Sequence, residues 1–435
     1  MIVYAADWVL PVEGEPIEFG GVAVENGRIV AVGPADELEG ERRDFPEAAI
    51  VPGLVNAHSH LEYAVYAGFG DGLAFAPWID LHVTRKRRLA DGDAIAIARL
   101  GAAECLRSGI TTICDASFTG ATVVAADRLG LRATVCLEIF GDDAEAARER
   151  FRALRAGVED ALSARVRLGV SPHAPYTTSA EVYAACAELG LPIATHLAES
   201  DAEQEWLRHG RGPMAAYENI LVDRSGDTGI RVLAAHGLLE PRVVAAHCVK
   251  VDEEEIELLV EHDVAVAHCP RSNALLGCGI APLPELLEAG LRVGLGTDSP
   301  ASTPSFDMWE EMRAAVCAAR ARAERPDALG ASEALELATL GSARALGLDA
   351  ETGSLAAGKQ ADLAVVSLSG SPYLPWEDPT VAVIFGGSPE RVELTLVEGE
   401  ERYEKGGFEW HELRHSAAAA RARMLTTEAP LTPKT

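Results

Sequence analysis

At 435 residues the chain has room for one barrel-sized domain with a smaller one beside it. Its 48% hydrophobic and 24% charged residues are ordinary for a protein with a sizeable core. Against 67 Asp and Glu stand only 38 Lys and Arg, a formal net charge of −29, which argues against the basic patch that a nucleic-acid binder needs to neutralise phosphates.

Residues 1–50 read as short strands joined by turns: 2–5, 20–24 and 28–32, with Glu25-Asn26-Gly27 as the hairpin turn between the last two. From Val51 the pattern changes to apolar runs alternating with alanine-rich helical stretches. Eight runs stand out, at 53–56, 111–115, 133–139, 166–171, 192–196, 243–247, 265–268 and 292–296, with helical patterns at 93–107, 144–162, 179–188 and 253–261 between them. Eight βα units over some 300 residues fit a (β/α)₈ TIM barrel, for which about 250 is typical. A doubly wound open sheet fits less well, because no glycine fingerprint follows the first strand. After Gly353 strands return at 362–368, 380–385 and 391–397. The reading is an α/β chain: a catalytic barrel over 53–352, a small composite β-sandwich from 1–52 and 353–405, and a tail over 406–435 that begins helical and ends proline-rich and frayed.

Barrel enzymes assemble their sites at the carboxyl ends of the strands, and here those ends carry six of the twelve histidines. They are His58 and His60 after strand one, His173 after strand four, His196 on five, His247 on six and His268 on seven; Glu199 follows His196, and Asp298 follows strand eight. Burying so many imidazoles is costly without a common purpose, which a metal ion supplies. His58 and His60 are two apart on an extended segment and share one face. With His196 and Asp298 they make a His₃Asp set suited to one divalent ion per chain, Zn²⁺ first, with Fe²⁺ or Mn²⁺ as alternatives.

These residues resemble the amidohydrolase superfamily. Segment 51–60, V-P-G-L-V-N-A-H-S-H, is similar to its opening metal motif, and His196-x-x-Glu199, Ala246-His247-Cys248, His268-Cys269-Pro270-x-Ser272-Asn273 and Gly296-Thr297-Asp298 follow in the family's order. Binuclear members carry a lysine at the end of strand four; segment 166–176 has none, so the resemblance implies the mononuclear deaminase branch. In that branch Glu199, His247 and Asp298 handle protons while the ion lets water ionise near neutral pH. Glu62 after His60, and Phe75-x-Pro77-Trp78-Ile79, look like the aminodeoxyfutalosine deaminases of menaquinone synthesis; S-adenosylhomocysteine and methylthioadenosine deaminases are next. His173 in His-Ala-Pro-Tyr, Glu62 and Arg87 in the basic run 85–88 are the expected substrate contacts, Arg87 offering a cation to a substrate carboxylate. Glu62 is alternatively a partner that orients a ligand histidine. Tyr63 stands where the guanine- and cytosine-deaminase branch has glutamine, which argues against those substrates. The remaining alternatives are a triazine-type chlorohydrolase, a cyclic-amide hydrolase with two ions, and a barrel without catalysis.

His411-Glu412-Leu413-Arg414-His415 matches the zinc-protease motif, but no histidine follows as third ligand, so it is read as accidental. Gly353 to Lys359 mimics a phosphate loop but has Gln360 where Ser or Thr is required, and reads as a turn. Eight cysteines without a C-x-x-C pair read as core thiols. Segment 1–11 lacks a basic leader, and no apolar run reaches the ~18–20 residues of a membrane span. The expectation is a cytoplasmic protein acting on a small molecule, without nucleic-acid or membrane partners, homodimeric in the habit of such barrels.

Overall fold

A computed structural model describes residues 1–370 and 377–426. The eight apolar runs form eight parallel strands: Leu54–Ser59, Ile110–Ser117, Arg132–Ile139, Val166–Pro172, Ile193–Leu197, Val243–His247, Ala265–His268 and Val293–Leu295. Each pairs with its sequence neighbour in one continuous sheet. The last strand returns to the first through a parallel bridge between Ser59 and Asp298, with the Asp298 N–H donating to the His58 carbonyl at 3.0 Å. Asn56 ties the seam from below: its amide donates to Thr297 Oγ1 at 2.8 Å and its Oδ1 accepts from Thr297 N–H at 3.0 Å. The sheet is thus a nearly closed barrel, with helices between strands as the helical patterns predict.

Strand eight approaches strand one unusually closely. A β-carbon on Gly296 would lie 2.8 Å from His58 Cβ and 3.0 Å from Cys269 Sγ, so only glycine lets the two strands meet.

Both chain ends build a second sheet of eight strands. In spatial order it runs Glu400–Glu404, Val392–Val397, Leu363–Ser367, Glu41–Pro52, Ile2–Val9, Gly20–Glu25 and Arg28–Pro34, with Ile17–Glu18 paired beside Ile2–Val9. The hairpin turn at Asn26-Gly27 has both residues at positive φ, 50° and 79°, as a tight two-residue turn requires. This turn also packs against Glu398 and Gly399 at the far end of the sheet, so the sheet curls back on itself. Tyr4, Val22, Ile50, Val365 and Leu396 fill the space inside the curl. Alternate residues of the same strands, Ala49, Val51, Ala364 and Val366, face the barrel core instead, a consequence of the two-residue strand period.

One expectation changes. Segment 380–385, read as a strand from its Thr, Val and Ile, is the helix Pro379–Gly386, buried largely on all sides. Asp378 caps it, accepting from the Thr380 and Val381 N–H groups, and Pro379 occupies its first turn. An apolar run does not distinguish a buried helix from a buried strand; the Asp-Pro start signal did. The tail over 406–426 is a docked helix, His411–Leu425, with Leu413, Ala417, Ala420 and Met424 buried, and its Arg423 pairs with Asp93. The expected frayed end at 427–435 lies outside the described residues. No helix is long and apolar enough to cross a membrane among the described residues. All eight cysteines are free, seven of them buried.

Candidate active site and metal centre

Parallel pairing sets the strand ends level, so Leu197 lies beside His247 and His268 beside Leu295. Side chains far apart in sequence therefore converge on one floor. Ligand atoms of His58, His60 and Asp298 lie within 4.8 Å of one another, as do those of His58, His196 and His247, and those of Glu199, His247 and Asp298. His60 Nε2 is 3.3 Å from His196 Nε2 and 3.5 Å from Asp298 Oδ1, and His58 Nε2 is 3.6 Å from the same oxygen.

The other ring nitrogens explain why these atoms are free. His60 Nδ1–H donates to the Ala116 carbonyl at 2.9 Å, His196 Nδ1–H to the His173 carbonyl at 2.7 Å, and His247 Nδ1–H to Asn273 Oδ1 at 3.0 Å. Each bond fixes the tautomer with the Nε2 lone pair aimed at the shared centre. His58 Nε2 and His247 Nε2 are buried with no hydrogen-bond partner among the described residues. Orphaned buried lone pairs are expensive, and a cation at their focus would satisfy them. Asp298 is divided in the same way. Its Oδ2 accepts from Ser272 Oγ at 2.6 Å and Ser302 Oγ at 2.7 Å, while Oδ1 faces His58 and His60. Burial holds His60 down at about 3 and lowers His58, His196 and His247, keeping the imidazoles neutral, the form that ligates. Although burial works the other way, the close approach of His58, His247 and His60 holds Asp298 well below the usual carboxylate range. The donor set fits one divalent ion.

Backbone strain gathers here. Ala198, His247, Cys248 and Asp298 all have φ between 46° and 74°, a left-handed conformation costing about 1–3 kcal/mol at each non-glycine residue. Surrounding bonds enforce it: Glu203 takes the Ala198 N–H at 3.0 Å and the Glu199 N–H at 2.7 Å in its two carboxylate oxygens. Similarly, Asp115 Oδ2 accepts from Leu61 N–H at 2.6 Å and Ser59 Oγ at 3.0 Å, holding the turn after His60.

Glu199 stands 3.7 Å from His247 Nε2. Burial, then the charge of Asp298, pushes its carboxyl well above the usual range, which favours its protonated form.

Above this floor opens a cavity of about 690 Å³, a size suited to a nucleoside-sized ligand. His173 lies in its wall, stacked on Phe140 at 4.9 Å and bonded through Nδ1 to Thr177 Oγ1 at 2.7 Å. Phe75, Trp78, Ile79 and Tyr176 supply apolar wall, and Arg87 is exposed at its edge. Of the basic run, Lys86 and Arg87 line the cavity, whereas Arg85 stacks on Phe69 at 3.9 Å and Arg88 donates to carbonyls of the C-terminal helix.

Glu62 is a correction. It is buried outside the cavity wall, bonded to Ser117 Oγ and to Thr119 N–H at 3.0 Å, so it touches neither ligand space nor a ligand histidine's free nitrogen. Its two carboxylate oxygens are consumed by the turn after strand two. His268 is buried with neither ring nitrogen partnered among the described residues and stands outside the converging groups. His411 and His415 lie parallel on the exposed face of the C-terminal helix, in no group of three ligands among the described residues.

Sequence reasoning missed Glu138, at the end of strand three, which lines the cavity and is pushed up to about 7 by burial, the Lys86 ammonium opposing. The rule that marks carboxylates at barrel-strand ends would have found it.

The description "Amidohydrolase family" matches residues 49–402, and an "imidazolonepropionase-like composite domain" matches residues 20–41. The chain is 35% identical over 407 residues to a 5-methylthioadenosine/S-adenosylhomocysteine deaminase of Syntrophobacter fumaroxidans, covering 89% of each protein. It is 33% identical over 399 residues to a 5'-deoxyadenosine deaminase of Methanothermobacter thermautotrophicus, covering 88% of this chain and 89% of that one. Among solved structures, a zinc-bound adenosine deaminase from Xanthomonas campestris superposes with a TM-score of 0.86 at 29% identity, covering 97% of this chain and 98% of that one. With a strand-end histidine and aspartate cluster inside the matched span, this chain belongs to the amidohydrolase family of hydrolases.

Proposed function

We propose that the protein hydrolyses the exocyclic amino group from a 6-aminopurine nucleoside, releasing ammonia. His58, His60, His196 and Asp298 would hold one divalent ion, Zn²⁺ by preference. When bound, the ion supplies the Lewis acidity that lets water ionise near neutral pH. Asp298 Oδ1, left free by the serine bonds to Oδ2, accepts the proton of the attacking water. His247, its Nδ1–H committed to Asn273, presents Nε2 as an acceptor that orients this water. Glu199, whose protonated form burial favours, donates to the ring nitrogen beside the carbon under attack. The proton held by Asp298 then passes to the amino nitrogen, which leaves as ammonia, and the new hydroxyl's proton returns to Glu199 as the carbonyl forms. The ring nitrogen must be within reach of Glu199 while the amino-bearing carbon lies over the centre, and the cavity floor offers both.

The observation that carries this reading is the convergence of Nε2 atoms and one Asp298 oxygen beside the buried carboxyl of Glu199. The relatives' nucleoside-deaminase activities support the substrate class. Within that class, the motif around Trp78 and a cationic Arg87 at the cavity edge favour aminodeoxyfutalosine, whose carboxylate would meet that guanidinium. S-adenosylhomocysteine also carries a carboxylate and is favoured by the relatives' names. The test is ammonia release by zinc-loaded protein across adenosine derivatives with and without a carboxylate on the 5′ substituent. Chelation should abolish turnover and added zinc restore it; no ammonia from any adenine nucleoside would refute the proposal.

A further inference from the structure

Glu138 and Lys86 are two polar groups in the cavity wall to which the chemistry above assigns no task. Glu138 ends the third barrel strand and is 2% exposed. Its carboxyl makes no side-chain hydrogen bond among the described residues; its ionic neighbour within 4.0 Å is His60 Nδ1 at 3.9 Å, whose proton is already given to Ala116. Lys86 closes the helix Phe75–Lys86. Its ammonium sits 4.4 Å from the Tyr63 ring centre and 4.1 Å from that of Phe118, an aromatic cage that holds a cation without neutralising it. No carboxylate lies within 4.0 Å of it among the described residues. The cavity wall therefore carries both a carboxyl acceptor and an ammonium donor that form no ion pair with each other within 4.0 Å among the described residues.

We propose that Glu138 and Lys86 together read the vicinal hydroxyls of the substrate's ribose; the inference rests on the nucleoside reading above. The occupant must donate to a carboxylate and accept from an ammonium at once. A diol does both, since each hydroxyl carries one proton and two lone pairs. A ligand carboxylate would satisfy Lys86 but would face the Glu138 carboxyl. A ligand amine would satisfy Glu138 but would face Lys86. The anionic substituent goes instead to Arg87 at the cavity edge. The two groups thus divide the substrate: base over the histidines, sugar between Glu138 and Lys86, charged tail at Arg87.

Charge-assisted hydrogen bonds to a buried site make a missing hydroxyl expensive, by about 10–100-fold in affinity. The test is calorimetric binding of adenosine and of 2′,3′-dideoxyadenosine to zinc-loaded protein carrying Glu199→Gln, which slows turnover. The parent should favour adenosine by that factor. Adding Glu138→Leu, or Lys86→Met on a separate element, should bring the two affinities together by weakening adenosine while leaving the dideoxynucleoside unchanged. Equal affinities in the parent, or a preference surviving both substitutions, would overturn the diol pair and leave the deaminase reading standing. If neither nucleoside binds the parent, both fall. Should Glu138→Leu fail to fold, Lys86→Met decides alone.

Discussion

Gly296→Ala offers the sharpest test of how the barrel seam positions the centre. Gly296 does not have positive φ, so the problem is steric and not conformational. The new methyl carbon would lie 2.8 Å from His58 Cβ and 3.0 Å from the His58 backbone nitrogen. Carbon atoms rest at about 3.5–4.0 Å, so strand one must retreat by about 0.7–1.2 Å. The Gly296 N–H is bonded to His268 at 2.9 Å and cannot yield freely, which sends the displacement into His58. Overpacking of this kind costs about 1–3 kcal/mol. Scaled by chain length, the unfolding entropy turns that into a fall of only about 1–3 °C in Tm. The chemistry should suffer far more, because a 1 Å error in a positioned group costs about 10²-fold. Zinc affinity should fall about 10–100-fold, measured by competition with a chromogenic chelator, and kcat/KM for ammonia release should fall with it. A folded Gly296→Ala protein with unchanged zinc affinity and kcat/KM would refute the claim that this glycine sets the position of His58.

Four further outcomes can be measured. Glu199→Gln should retain zinc but lose about 10²–10⁴-fold in kcat, read by ammonia release; near-normal turnover would exclude it as the proton donor. Because burial raises the folded carboxyl of Glu199 well above its ordinary value, the active, protonated form is favoured and is lost as pH rises through that raised value. The parent's rate should therefore fall on the alkaline side, and the residual activity of Glu199→Gln should lack that limb. Asn273→Ala removes the acceptor for His247 Nδ1–H and should lower kcat about 10–100-fold with zinc content unchanged; unchanged kcat would show that the tautomer is set elsewhere. Replacing His411 and His415 together by alanine should alter neither zinc stoichiometry nor turnover, and loss of metal would restore the protease-like motif to consideration.

Much of the molecule was legible in advance because its signals are local. An apolar run bounded by helical pattern is a property of a few consecutive residues, and all eight barrel strands announced themselves that way. The turn at Asn26-Gly27 was equally plain. Where local chemistry was ambiguous the reading slipped, as at Pro379–Gly386, whose β-branched residues suited a strand but whose surroundings buried a helix. The long strand Glu41–Pro52 was invisible as a partner, because its neighbours Ile2–Val9 and Leu363–Ser367 come from opposite ends of the chain.

By itself the sequence determined which side chains end strands and so face one rim: His58, His60, His196, His247, Glu199 and Asp298. Only the tertiary structure decided which nitrogen of each imidazole is free, since that depends on carbonyls and amides from other strands, at Ala116, His173 and Asn273. It likewise removed Glu62 from the cavity, where two residues after His60 had suggested contact, and brought in Glu138 and Lys86. Spacing along a strand fixes direction within one element, whereas a hydrogen-bond partner or a cavity wall is a property of how elements pack, and no single segment encodes it.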